Sequence, residues 1–186
     1  MAPIEVFFGV IVFIFALIGL ARGFLKELGV TMVVMFVLFF LSLFEPQLDR
    51  GLTKVMTMGK RFLPTTSVDL IKCWLFIFVV GATAFVSYQG ETLSFGGQAP
   101  KGAQGILLSL LVGMLNGYLI VGSIWFYMDK FHYPIKFLGF STDKLSKLAQ
   151  GMIHFLPVSF LGQPILFGQS MLLFLSMALI LARVIR

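Results

Sequence analysis

Residues 4–44 read IEVFFGVIVFIFALIGLA, then RGFLKE, then LGVTMVVMFVLFFLSLF. Two apolar runs, Ile4 to Ala21 and Leu28 to Phe44, are thus separated by a short link that carries Arg22, Lys26 and Glu27. A helix rises about 1.5 Å per residue, so roughly 20 apolar residues cross about 30 Å of hydrocarbon. Backbone groups cannot stay unpaired in lipid, and neither run shows the alternation of a barrel strand. Both therefore read as membrane-spanning helices. The short link predicts a tight antiparallel hairpin. Three further runs have similar character, at Cys73 to Tyr88, Ile106 to Met128 and Ile165 to Ala182. The expected fold is an all-α membrane protein, a single transmembrane domain over residues 1–186 with four to five spans.

Composition points the same way. The chain is 59% hydrophobic and 12% charged, with 22 phenylalanines and a mean hydropathy of +1.00. An ordinary soluble domain carries about 25% charged residues and leaves about a third of its unfolded surface exposed. A soluble enzyme, a disordered chain and a nucleic-acid-binding domain are excluded on these grounds. The net charge of +6 is instead expected in loops beside anionic headgroups or in the cytoplasm. Cys73 is the single cysteine, so no internal disulfide can form. Glu5 stands where a signal peptide would carry basic residues, and Arg22 closes the run, so the first span is expected to be retained.

Two connecting segments are helical in pattern without being able to span. In Pro46 to Leu63, apolar positions recur at three and four, while Asp49, Arg50, Thr53, Lys54, Thr57, Lys60 and Arg61 share the other face. In Thr142 to Leu156, Leu145, Leu148, Ala149, Met152, Phe155 and Leu156 share one face, with Ser141 as N-cap and Pro157 as terminator. Both are expected to be amphipathic helices lying in the membrane interface, the alternative being helices packed on the protein's own spans. The segment Gln89 to Gly105 is rich in glycine and is expected to be a flexible loop facing solvent.

Residues for catalysis are missing from this pattern. No carboxylate falls in the middle of any of the five runs, which disfavours an intramembrane protease or a carboxylate proton relay. His132 and His154 lie in connecting segments, and no metal-ligand spacing or serine-nucleophile elbow occurs. No enzyme activity, metal or cofactor is expected. What stands out is a strip in span four, Gly105, Ser109, Gly113 and Gly117, each four residues after the last. Fourfold spacing puts them on one helix face, where a second backbone can approach closely. Asn116 sits beside the strip. It can serve as an interhelical hydrogen-bond donor or line a polar path. A related motif, Gly19-Leu-Ala-Arg-Gly-Phe24, closes span one and parallels Gly113-Met-Leu-Asn-Gly-Tyr118. Arg22 can snorkel to lipid phosphates, or reach Glu27 or Asn116 and fix the hairpin against span four.

These residues carry a family resemblance. The run from Ile4-Glu5 to Arg22-Gly23-Phe24-Leu-Lys26-Glu27 is similar to the opening of the colicin V production protein family, with Glu5, Arg22, Gly23, Phe24, Lys26 and Glu27 matching its pattern. Gly113 and Gly117 match the later glycine signature of that family, whereas Asn116 stands where an arginine is usual, Ser109 where a glycine is usual, and Gly105-Ile106 where Asp-Arg is usual. The resemblance extends in architecture over about residues 4 to 156 and implies a protein of the bacterial inner membrane linked to toxin production, export or envelope homeostasis. The fifth span departs from the family's four. From the residues alone, a small oligomeric channel or transporter, or a structural subunit of a larger membrane complex, remain competing readings. Membrane lipids and either a homo-oligomer or a membrane-complex partner are the expected partners, with no nucleic acid. A Lys/Arg count over five spans favours a cytoplasmic N-terminus, whereas the charge step across span one, with Glu5 before it and Arg22 and Lys26 after it, favours the opposite orientation.

Overall fold

A computed structural model describes residues 3–58, 65–89, 95–135, 139–142, 145–166 and 168–185. Four long helices make the body: α1 (Ile4–Arg22), α2 (Phe24–Met58), α3 (Thr65–Gln89) and α4 (Gly102–Lys130). Each contains a stretch long and apolar enough to cross a membrane. The chain is an all-α membrane protein.

The packing is organised around α4. Its buried residues include Ser109, Gly113, Asn116, Gly117, Ile120, Ser123 and Tyr127, and these recur at three and four along the helix, as a core-facing stripe must. α1 lies along this helix, and α2 and α3 close the other side. On α2 the buried positions Glu27, Val30, Thr31, Val34, Leu38 and Leu41 follow the same period. From α3 come Cys73, Phe76 and Val80; the Phe76 ring stacks on Tyr127 with centroids 4.4 Å apart. The outer faces carry large apolar side chains such as Phe13, Phe36, Phe78 and Phe85. In lipid this inversion carries no hydrophobic penalty.

Several expectations take a different form. The link between spans one and two shortens to Gly23, whose φ of 88° and ψ of 157° fall in a backbone region that essentially only glycine occupies. α1 then packs chiefly along α4, not along α2, so the pair is only nominally a hairpin. The segment after Phe44 is no separate helix. α2 runs on through Pro46 to Met58, and the remainder of the expected Pro46–Leu63 helix, from residue 59, lies outside the described residues.

The second amphipathic helix is shorter than expected. It is α5 (Lys147–Ile153), capped by Ser146, not Ser141, with the Ser146 hydroxyl accepting from the Ala149 N–H at 3.0 Å. Pro157 does not merely end that run; it opens α6 (Pro157–Leu161) at its first turn, where a missing N–H costs nothing. Asp143 and Lys144, assigned to the same segment, lie outside the described residues. The fifth span over Ile165–Ala182 is also revised. Pro164–Leu166 (β1) and Gln169–Ser170 (β2) pair as a small antiparallel hairpin around Gly168, whose φ is 75°. Only Met171–Val184 (α7), 14 residues, remains helical. At 1.5 Å per residue it reaches about 21 Å, short of the roughly 30 Å of hydrocarbon.

Candidate functional site

The glycine strip and the end of α1 meet face to face. A Cβ placed on Gly19 would lie 2.5 Å from the Ser109 carbonyl oxygen and 2.7 Å from the Gly113 Cα. One placed on Gly113 would lie 2.6 Å from the Phe15 carbonyl oxygen and 2.9 Å from the Gly19 Cα. Gly117 faces Phe15 and Val12, and Gly122 faces Pro157 and Phe8. Residue numbers rise on α4 as they fall on α1, so the helices are antiparallel. Gly105 does not belong to this seam; it makes room for the Pro100 carbonyl of the preceding loop. That loop is less free than its glycines imply, because Phe95 is buried and its N–H donates to the Leu25 carbonyl at 3.3 Å.

Bringing α1 and α4 together at backbone distance assembles a polar centre. Glu27 is fully buried, 0% exposed, although it reads in the sequence as part of a charged link. Starting α2 at Phe24 places Glu27 on the same face as Val30, Thr31 and Val34, and that face turns toward α4. Its carboxylate Oε1 accepts from the Arg22 guanidinium at 3.2 Å. Oε2 accepts from the Tyr88 hydroxyl at 2.9 Å and from Asn116 Nδ2 at 2.8 Å. A carboxylate inside a membrane protein is tolerated when donors of this kind surround it.

Asn116 is employed on both ends. Nδ2 also donates to the Glu27 carbonyl at 3.0 Å, and Oδ1 accepts from the Thr31 hydroxyl at 2.7 Å. The neighbours therefore fix which end is oxygen and which nitrogen. Arg22 uses its second nitrogen on the Ser87 carbonyl at 3.3 Å and lays its guanidinium 4.5 Å from the centroid of the Tyr88 ring, a cation–π geometry. Phe15 meets the same ring edge-on at 5.4 Å. Four helices contribute to one cluster.

The residues anticipated from the sequence thus divide. Arg22, Glu27 and Asn116 converge, with Gly19, Gly113 and Gly117 supplying the approach and Gly23 the break. Ser109 sits at the seam and returns its hydroxyl to the Gly105 carbonyl at 2.7 Å. Lys26 is exposed and Phe24 half-buried. Glu5 lies in a separate contact, where its Oε1 accepts from the Ser146 hydroxyl at 2.6 Å while Oε2 is buried without a hydrogen-bond partner. Tyr88 and Thr31 were not anticipated. Thr31 was legible, since it follows Glu27 by four residues on one helix face; Tyr88 was not, because only the packing of α3 brings it near.

The exposed His132 and His154 play no part in this cluster, and no group of metal-ligating side chains occurs among the described residues. Outside the spans, burial pushes the Tyr133 phenol well above its ordinary range, and its oxygen accepts from the Trp125 indole at 2.9 Å. Compared with family models, curated proteins and solved structures, the chain shows no match.

Proposed function

We propose that the chain is a non-enzymatic multi-pass protein of the bacterial inner membrane, of the colicin V production type, acting as an accessory to toxin production or export or to envelope homeostasis. One observation carries the reading. The two motifs that give the resemblance lie some ninety positions apart, yet Glu27 of the first, paired with Arg22, meets Asn116 of the second, with Glu27 Oε2 and Asn116 Nδ2 2.8 Å apart. At the position where the family usually carries an arginine, this chain has an amide that meets a buried carboxylate. The centre is saturated by its own side chains, which supports a lock between α1, α2, α3 and α4 over a catalytic or conducting role. The glycine seam, closed within one chain, removes the argument that the strip by itself demands an oligomer.

Complementation tests the reading. In a colicin V-producing bacterium lacking its own family member, expression of this chain restores toxin release or detergent resistance, and Glu27→Ala abolishes the rescue. Failure of the well-expressed wild-type chain to restore either phenotype refutes the family assignment. Ion or solute flux through purified protein in liposomes, abolished by Asn116→Leu, would replace it with the channel reading.

A further inference from the structure

An open groove of about 700 Å³ runs along α2, with Val79 of α3 on its far wall. Its lining extends from Phe36 to Leu52, which at 1.5 Å per residue is about 24 Å. One leaflet supplies roughly half of a 30 Å hydrocarbon layer. The groove is therefore longer than a leaflet is deep, and it passes from the apolar half of α2 into the charged half.

The walls differ along that length. At the Phe36 end, Phe36, Phe40 and Phe44 form a ladder, Phe36 and Phe40 4.7 Å apart and Phe40 and Phe44 stacked at 5.9 Å. Gln47 interrupts this apolar wall, and with its amide nitrogen turned to the helix it donates to the Leu43 carbonyl at 2.7 Å. At the other end Gly51 is exposed, with nothing within 4 Å of where a Cβ would stand. Arg50 and Lys54 flank it and are exposed. Of the acidic residues nearby, Glu45 is held in an ion pair with Lys130. In sequence, Asp49 is the acidic neighbour of Arg50 and Lys54.

We propose that this groove is a binding site for one anionic phospholipid, its acyl chain along Phe36 to Leu48 and its phosphate beside Arg50 and Lys54. Charge decides the occupant. An apolar helix from a second copy would match the ladder and bring no anion to the basic end, whereas an anionic lipid matches both. Each basic residue near a membrane surface contributes to attraction for anionic headgroups, and the pair together sets a preference for phosphatidylglycerol over phosphatidylcholine of about tenfold or more.

Native mass spectrometry of the full chain, titrated separately with phosphatidylglycerol and phosphatidylcholine, tests this. The wild-type chain retains one phosphatidylglycerol preferentially. Gly51→Phe, which projects into open space without meeting backbone, lowers that retention severalfold, and Gly9→Phe, at an equally open glycine outside the groove, leaves it unchanged. The exposed pair Arg50→Gln/Lys54→Gln keeps the fold and loses the preference between the two lipids, so the test stands even where Gly51→Phe fails to fold. Equal retention of both lipids by the wild-type chain overturns the proposal. So does loss of retention that is the same for Gly51→Phe and Gly9→Phe, or a wild-type dimer that Gly51→Phe dissociates, the last assigning the groove to a second copy.

Discussion

Replacing Glu27 by glutamine keeps its shape and removes its charge, and the three donors around it set the consequence. With the amide oxygen in the place of Oε2, the bonds from Tyr88 and Asn116, 2.9 and 2.8 Å long, survive as neutral ones. The amide nitrogen then faces the Arg22 guanidinium, donor against donor. Turning the amide over keeps the Arg22 bond on its oxygen and lets the Tyr88 hydroxyl accept, but it sets the amide nitrogen against Asn116 Nδ2, again donor against donor. In either orientation one of the three bonds that the charged carboxylate accepts is lost. Arg22 keeps a partial outlet, since its side chain is 18% exposed and retains the Ser87 carbonyl. The expected cost is about 1.5–2 kcal/mol, the lower part of the range for bonds to charged groups. Glu27→Ala, which takes the carboxylate away from all three donors, costs about 3–5 kcal/mol.

A double-mutant cycle of Glu27→Gln and Arg22→Met, read by reversible unfolding in mixed micelles, isolates the pair. The expected coupling is about 1–2 kcal/mol, and the double variant recovers part of the stability lost in Arg22→Met because no unpaired buried charge remains. Arg22→Lys leaves a deficit, since one ammonium cannot place donors on both Glu27 and Ser87 while lying flat over Tyr88. Coupling below about 0.5 kcal/mol, the level of independent sites, refutes the ion pair and returns Arg22 to the lipid interface.

Gly113→Ala and Gly19→Ala each force a methyl into backbone and are expected to lose about 1–3 kcal/mol in the same unfolding assay, whereas Gly9→Ala and Gly81→Ala, which meet open space, are neutral or gain up to about 1 kcal/mol of helix propensity. Gly23→Ala strains the break between α1 and α2 by about 1–3 kcal/mol, seen as a lower melting temperature with unchanged helix content. Ser146→Ala removes both the cap of α5 and the bond to Glu5; loss of about 0.5–2 kcal/mol is expected, and hydrogen exchange localises it to residues 146–153. With α7 too short to cross, Arg22, Lys26 and Lys101 would face one side and the remaining Lys/Arg the other, from which the positive-inside rule predicts a cytoplasmic N-terminus. In intact cells Gln98→Cys, in a Cys73→Ser background, is then labelled by an impermeant maleimide, and protection reverses the orientation.

The four long helices were legible in the sequence because their cause is local. Backbone groups in lipid must be satisfied within each segment, so an apolar run of sufficient length between Ile4 and Ala21, or Ile106 and Met128, has no alternative to a helix. The fourfold spacing of Ser109, Gly113 and Gly117 likewise showed a face on which another backbone could rest. Which backbone rests there is a nonlocal matter. Only the folded chain pairs Gly113 with Gly19, turns Glu27 inward from a break of a single glycine, and brings Tyr88 from α3 onto the same carboxylate. Residues 165–170 mark the opposite limit. Ile165 and Leu166 read by composition as the start of a span, but Pro164 and Gly168 bend the backbone into a hairpin, and a mean over the window cannot register that. Composition and period determined what lies in the membrane; the antiparallel approach of α1 and α4 decided which polar groups must meet there.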